Sequence, residues 1–265
     1  MDNIGLILFD IDGVIRDVTN SYRMAIQETV CIFCGWKPSI QDIDSIKSEG
    51  CWNNDWDLSL EMINRHVQNN NLSLLPPTRS KLIKCFEDFY FGGNPNHEPS
   101  EWTGFIRNET LLVKKNLFDE LTHQRICWGF VSGAELPSAK FVLEKRLGLV
   151  SAPLIAMGDA PDKPDPKGFI SLSTKLSKTP LGASNHPIAY IGDTVADVKT
   201  VINARNRIPQ QKFISLAIAP PHLHGDCDHE KRLNYEVKLI EAGTDIIIKS
   251  MESFKNEIID LFTNQ

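Results

Sequence analysis

Four short clusters hold the residues of this 265-residue chain that could do chemistry. The first, Asp10-Ile11-Asp12-Gly13, follows the apolar run Gly5 to Phe9. Two carboxylates two residues apart on extended chain lean to the same side. Gly13 lets the backbone turn tightly just after them. The second, Ser132-Gly133, follows the run Ile126 to Val131. A hydroxyl with backbone N–H groups ahead of a helix suits an anion. The third is Lys163-Pro164-Asp165-Pro166, where the proline restricts Lys163 to extended geometry. The fourth is Ile191-Gly192-Asp193-Thr194-Val195-Ala196-Asp197. Each has a plain structural use as well: a solvated acid pair, a strand-end turn, a surface lysine, a helix N-cap with a first-turn acid. Singly, such patterns recur by chance. In this order, each behind an apolar strand, they form a strong signal.

The elements that must position them alternate. Gly5 to Phe9 is too short for a helix and reads as a buried parallel strand. Further strands are expected at Ile126–Val131, Leu154–Met157, Ile188–Ile191, Phe213–Ile218 and Asp245–Ile248. Helices are expected from Asn108 to about His123, and over Leu136–Leu147, Pro166–Leu176, Val195–Ala204 and Glu252–Phe262. Repeated alternation implies a parallel sheet with helices on both faces. Its ligands bind at the carboxyl ends of the strands. From Asp17 to about Tyr90 the pattern is helical instead. Ser21–Cys34 carries Tyr22, Ile26, Val30 and Phe33 on one face. Ser39 and Asp42 form a capping-box pattern. Leu58–Val67 and Ser80–Tyr90 complete the set. Phe91 to Glu101 reads as a linker.

Together the four motifs resemble the haloacid dehalogenase-like hydrolase superfamily, over roughly residues 4–16 and 105–262. The resemblance implies an α/β fold, a Rossmann-like doubly wound parallel sheet, with an inserted α-helical cap domain. Residues 1–16 and 105–265 would form the core and 17–104 the cap. It also implies that Asp10 is the nucleophile, forming an aspartyl-phosphate. Asp12 would be the general acid/base. Ser132 with Gly133 would hold phosphate, and Lys163 would be the fixed cation beside it. Asp193 would bind Mg²⁺ with Asp10 and the backbone carbonyl of Asp12. Asp197 would support the metal or hold Lys163. Four carboxylates and a phosphate cannot share a pocket without cations, and Mg²⁺ prefers hard oxygen ligands. The superfamily often has glycine before the lysine; Asp162 stands there in this chain.

The implied activity is a Mg²⁺-dependent phosphomonoester hydrolase acting on a small phosphorylated metabolite. A phosphomutase on the same fold would use the same acids, and a non-catalytic module would be expected to lose them. A dehalogenase is disfavoured because Asp12 is present. A phosphonatase would need a cap lysine, and Lys47 is available. Arg16 could reach the substrate's anionic part or pair with an acid at the hinge. Trp52, Asn53 and Asn54, near Gly50 and Trp56, suit a substrate-reading loop or a packed corner with capping amides.

Composition narrows the remaining classes. The chain holds 28 Lys plus Arg against 34 Asp plus Glu, a formal charge of −6. That balance, without a basic tract, argues against nucleic acid as the ligand. No run approaches the ~18 apolar residues of a spanning helix, and no signal peptide is visible. Six cysteines in a chain this long do not form a disulfide framework, so a cytoplasmic protein is expected. Cys31 and Cys34 read as helix packing. The segment His222-Leu-His-Gly-Asp-Cys-Asp-His229 has ligand types that would permit Zn²⁺, though a solvated loop is the simpler reading. Oligomeric state is left open.

Overall fold

The computed structural model describes residues 3–52 and 54–252, together with Phe254, Ile258, Leu261 and Phe262; of Asp226 only the backbone is described. In chain order it runs β1 (Gly5–Phe9), β2 (Arg16–Asp17), α1 (Tyr22–Cys34), α2 (Ile40–Lys47), α3 (Asp55–Asn69), α4 (Arg79–Tyr90), β3 (Thr110–Leu111), α5 (Asn116–His123) and β4 (Ile126–Val131). It continues through α6 (Leu136–Lys140), β5 (Leu154–Ile155), α7 (Lys167–Ser177), β6 (Ile188–Gly192), α8 (Val195–Arg207), β7 (Phe213–Ile218), α9 (His229–Glu241) and β8 (Ile246–Ile248). The chain divides into two compact units, Met1–Asp17 with Leu111–Gln265, and Val18–Thr110.

The first unit is built on a parallel sheet of order β5-β4-β1-β6-β7-β8. All five residues of β1 are buried, as are those of β6. A strand covered on both faces needs a continuous apolar run, and Gly-Leu-Ile-Leu-Phe is one. On one face Phe9, Phe118 and Phe130 meet, with Phe254, Ile258 and Phe262 in the same cluster. On the other, Phe169 and Leu172 of α7 and Val201 and Ala204 of α8 pack with Tyr190 and Phe213. From β1 the chain builds outward on one side through β4 to β5, and on the other through β6 and β7 to β8. This reversal is the switch point at which doubly wound sheets open a crevice for ligands.

The second unit is helical. Tyr22, Ile26, Leu58, Met62, Leu82, Phe86 and Tyr90 are buried, and the Tyr22 and Tyr90 rings stack at 4.0 Å. The Ser39–Asp42 capping box is present: Ser39 Oγ accepts from Asp42 N, and Asp42 Oδ2 accepts from Ser39 N. Cys34, the last residue of α1, is buried with its Sγ 3.2 Å from the Val30 carbonyl, and Cys31 is half-buried.

Three expectations need correction. Asn108 does not cap a helix. It closes a short 3-10 turn, its amide donates to the Asn20 carbonyl at 3.1 Å, and Thr110–Leu111 then go extended, so the helix starts only at Asn116. The third core strand stops at Ile155, because Met157 N bonds to Ala134 O instead of continuing the ladder. Helix α9, which buries Tyr235 and Leu239, falls where the sequence reading places none. Most of the expected helix over residues 252–262 lies outside the described residues. Among the described residues, no helix is long and apolar enough to cross a membrane.

Candidate functional site

The carboxyl ends of β1, β4 and β6 lie side by side, with Phe9 registered to Phe130 and to Ile191. Each strand runs directly into one of the sequence motifs. Asp10, the first residue past β1, donates its N–H to the Ile191 carbonyl at 2.8 Å, which extends the ladder and fixes its backbone. Its side chain is buried. Oδ1 accepts from Ile11 N at 2.8 Å, and Oδ2 lies 3.0 Å from Lys163 Nζ. Its carboxyl is raised from 3.8 to about 7: burial is the largest cause, Lys163 opposes it, and Asp197 and Asp12 add to it.

Asp12 is more open, its side chain 25 % exposed, and Oδ1 accepts from Arg16 Nε at 2.6 Å. Arg16 itself is fully buried. Of its two sequence-level uses, pairing with an acid is the one the geometry displays. The turn between them is closed by Gly13 N donating to Arg16 O at 2.8 Å. Gly13 has φ +77°, and a β-carbon there would lie 2.0 Å from Asp193 Oδ2. Only glycine satisfies both the backbone and the approach.

Asp193, past β6, is buried. Its carbonyl accepts from Tyr235 Oη of α9 at 3.2 Å. The helix cap is not Asp193 but Thr194, whose Oγ1 accepts from Asp197 N at 3.3 Å. Asp197 returns the bond: Oδ2 accepts from Thr194 N at 3.0 Å and from its hydroxyl at 2.5 Å. Its other oxygen accepts from Lys163 Nζ at 2.5 Å and from Tyr190 Oη at 3.0 Å. Burial would raise the Asp197 carboxyl, but the Lys163 charge and the bonds from Lys163 and Thr194 outweigh it and hold it low. Burial would likewise strip the Lys163 proton; Asp10 and Asp197 reverse that and keep it charged.

Ser132 N donates to Ile155 O at 3.0 Å, and its Oγ accepts from Ala134 N at 3.2 Å. The side chain is therefore folded onto its own turn ahead of α6, beside half-buried Gly133. Lys163 precedes a cis peptide bond to Pro164.

Carboxylate oxygens of Asp10, Asp193 and Asp197 come within 4.8 Å of one another, all three buried. Lys163 pairs with two of them, Asp10 and Asp197. A hard, oxygen-only donor set fits a hard divalent cation such as Mg²⁺. Among the described residues this is the group whose ligand atoms converge closely enough to hold a metal. His224 places Nε2 2.8 Å from the Ala219 carbonyl.

The residues singled out in the helical unit are occupied locally. Asn54 caps α3, its Oδ1 accepting from Trp56 N and Asp57 N at 3.0 and 3.2 Å. Trp52 Nε1 donates to Glu49 Oε2 at 2.9 Å, under the Arg65 guanidinium. Asn53 lies outside the described residues. Lys47 pairs with Asp55 at 2.6 Å. The site residue that sequence reasoning misses is Tyr190. The available signal is a hydroxyl inside an otherwise apolar buried strand, since such a group must find a partner.

A doubly wound parallel sheet with these acids, one lysine and one serine at its switch point defines a hydrolase class. The chain belongs to the haloacid dehalogenase-like hydrolase family, which it matches over residues 4–205. A curated relative, the imidazoleglycerol-phosphate dehydratase of Phytophthora nicotianae, is 33% identical over 196 residues, covering 72% of this chain. The chain spans only 40% of the length of that protein. Among solved structures, a phosphonoacetaldehyde hydrolase like protein from Oleispira antarctica superposes with TM-score 0.66 at 14% identity, covering 100% of this chain and 95% of that one. Phosphatase Tt82 from Thermococcus thioreducens gives TM-score 0.58 at 20% identity, covering 79% and 92%. At these identities the likeness is one of fold.

Proposed function

We propose that the protein is a Mg²⁺-dependent phosphomonoester hydrolase acting on a small phosphorylated metabolite through an aspartyl-phosphate on Asp10. The observation that carries this reading is the placement of Asp10. One carboxylate bears a lysine at 3.0 Å and also belongs to the three-acid group. Such a group can attack phosphorus only if it is ionised, and Lys163 favours the ionised form.

Asp10 attacks phosphorus, the bond to the alcohol oxygen breaks, and Asp12 delivers the proton to that oxygen. Asp12, now a carboxylate, takes a proton from water. The resulting hydroxide attacks phosphorus and releases inorganic phosphate and Asp10. Arg16 holds Asp12 toward this work from behind. Ser132 and the following backbone N–H groups receive the phosphoryl oxygens. Asp10, Asp193 and the Asp12 carbonyl would hold Mg²⁺, which supplies charge neutralisation for the phosphoryl group when bound. Asp197 serves chiefly by holding Lys163. We read the Val18–Thr110 unit as the cap expected over residues 17–104.

The test is phosphate release from a panel of small phosphate esters, with Mg²⁺ and with chelator. The name of the Phytophthora relative makes imidazoleglycerol phosphate one sensible member. Mg²⁺-dependent release supports the reading. Conversion of a sugar phosphate to its isomer without net release would replace it with a mutase.

A further inference from the structure

We propose that Tyr190 is a positioning residue that holds one N–H of Lys163 at rest and yields it to the incoming phosphoryl group. This inference rests on the phosphohydrolase reading above. A lysine ammonium has three donors. Lys163 Nζ meets three acceptors: Asp197 Oδ1 at 2.5 Å, Asp10 Oδ2 at 3.0 Å and Tyr190 Oη at 3.1 Å. All four side chains are at least nine-tenths buried. Two of the acceptors are carboxylates and hold their N–H groups with charge-assisted bonds; the third is a neutral hydroxyl and holds its N–H less strongly.

Tyr190 Oη also lies 2.8 Å from the Val131 carbonyl. It also lies 3.0 Å from Asp197 Oδ1; with its one proton directed to either acceptor, a lone pair remains for Lys163. Val131 is the residue before Ser132, so one hydroxyl links the lysine to the strand end that carries the phosphate turn. When a phosphoryl oxygen arrives beside Asp10, it is a stronger acceptor than the hydroxyl. The third N–H moves to it, while the two carboxylates keep the ammonium in place. Without Tyr190 the lysine still pairs with both acids, but the third N–H has no resting acceptor and the ammonium is free to turn.

The experiment compares wild type with Tyr190→Phe in steady-state phosphate release with Mg²⁺. The expected result is a kcat about tenfold lower, because the ammonium is no longer held in place for the arriving phosphoryl group, with no rise in KM. Wild-type kcat in the variant, or a fall in kcat joined to a higher KM, overturns the inference. A second arm does not depend on that variant folding. Tyr190 is replaced by 3-fluorotyrosine, which keeps the hydroxyl, and inorganic phosphate is added with Mg²⁺. The ¹⁹F resonance should shift in the otherwise wild-type chain and stay fixed in Lys163→Met. No shift in an active enzyme overturns the inference alone. A shift in a chain that turns over no phosphate ester keeps the inference and removes the phosphohydrolase reading.

Discussion

Gly13 and Asp193 are packed so closely that a β-carbon on the first would fall 2.0 Å from Oδ2 of the second. They come from the ends of two neighbouring strands, β1 and β6. The contact therefore sets the gap between the loop that carries Asp10 and Asp193 of the three-acid group. A second glycine works alike within its own loop: a β-carbon on Gly192 would meet the Asp197 carboxyl carbon at 2.2 Å.

Gly13→Ala should therefore damage the metal site as well as the fold. Left-handed backbone alone costs about 1–2 kcal/mol for a non-glycine residue, and the collision adds to it. The expected outcome is a lower Tm together with weaker Mg²⁺ activation, read from thermal melts and from a magnesium titration of activity. Wild-type Mg²⁺ dependence in a folded Gly13→Ala protein would show that the approach is not needed.

Acidity offers a separate check. The unfolded chain sheds the Asp10 proton near 3.8, whereas burial holds it in the folded chain up to about 7. Between those values the folded state binds more protons, so rising pH favours unfolding through this group. Asp197 has the opposite sign: its stabilisation is present above the ordinary carboxylate range and is lost as pH falls through its depressed value. A bound cation relieves the Asp10 penalty by favouring its ionised form. The rise in Tm on adding Mg²⁺ should thus be larger at about pH 8 than at about pH 5. Asp10→Asn should remove most of that difference. Calorimetry at both pH values, with chelator as reference, decides it.

Arg16 tests the pairing with Asp12. Arg16→Met leaves Asp12 without its 2.6 Å partner. Removing one member of a buried pair costs up to about 3–5 kcal/mol, and the 25 % exposure of Asp12 places this pair below the top of that range. Lowered stability with a fall in kcat is expected; unchanged kcat in a folded variant would show that Asp12 needs no such support.

Asn54 separates a cap from a substrate contact. Asn54→Ala should cost about 1 kcal/mol of stability through the lost N-cap, with KM unchanged. A KM raised tenfold at unchanged stability would restore the substrate role.

The parts legible in the sequence are those set by short-range chemistry. Gly5–Phe9 and Phe213–Ile218 were readable because strands buried on both faces must be apolar throughout. The Ser39–Asp42 box was readable because capping is decided within four residues. Asp10, Lys163, Asp193 and Asp197 were readable by motif and do come together. What the sequence hid depends on distant partners. The sequence spacing does not reveal that Asn108 gives its amide to Asn20, that Asp197 is held by Lys163 and Thr194, or that the Tyr190 hydroxyl lies beside Lys163. Asn54 was legible as a capping amide, and it does cap α3.

The most direct test of the central claim is to quench a turning-over sample in acid and map the phosphoryl group by mass spectrometry. One added phosphoryl group is expected on the peptide containing Asp10, absent in Asp10→Asn, which should also release no phosphate. Phosphate release persisting in Asp10→Asn, or a phosphoryl group trapped on another residue, would contradict it.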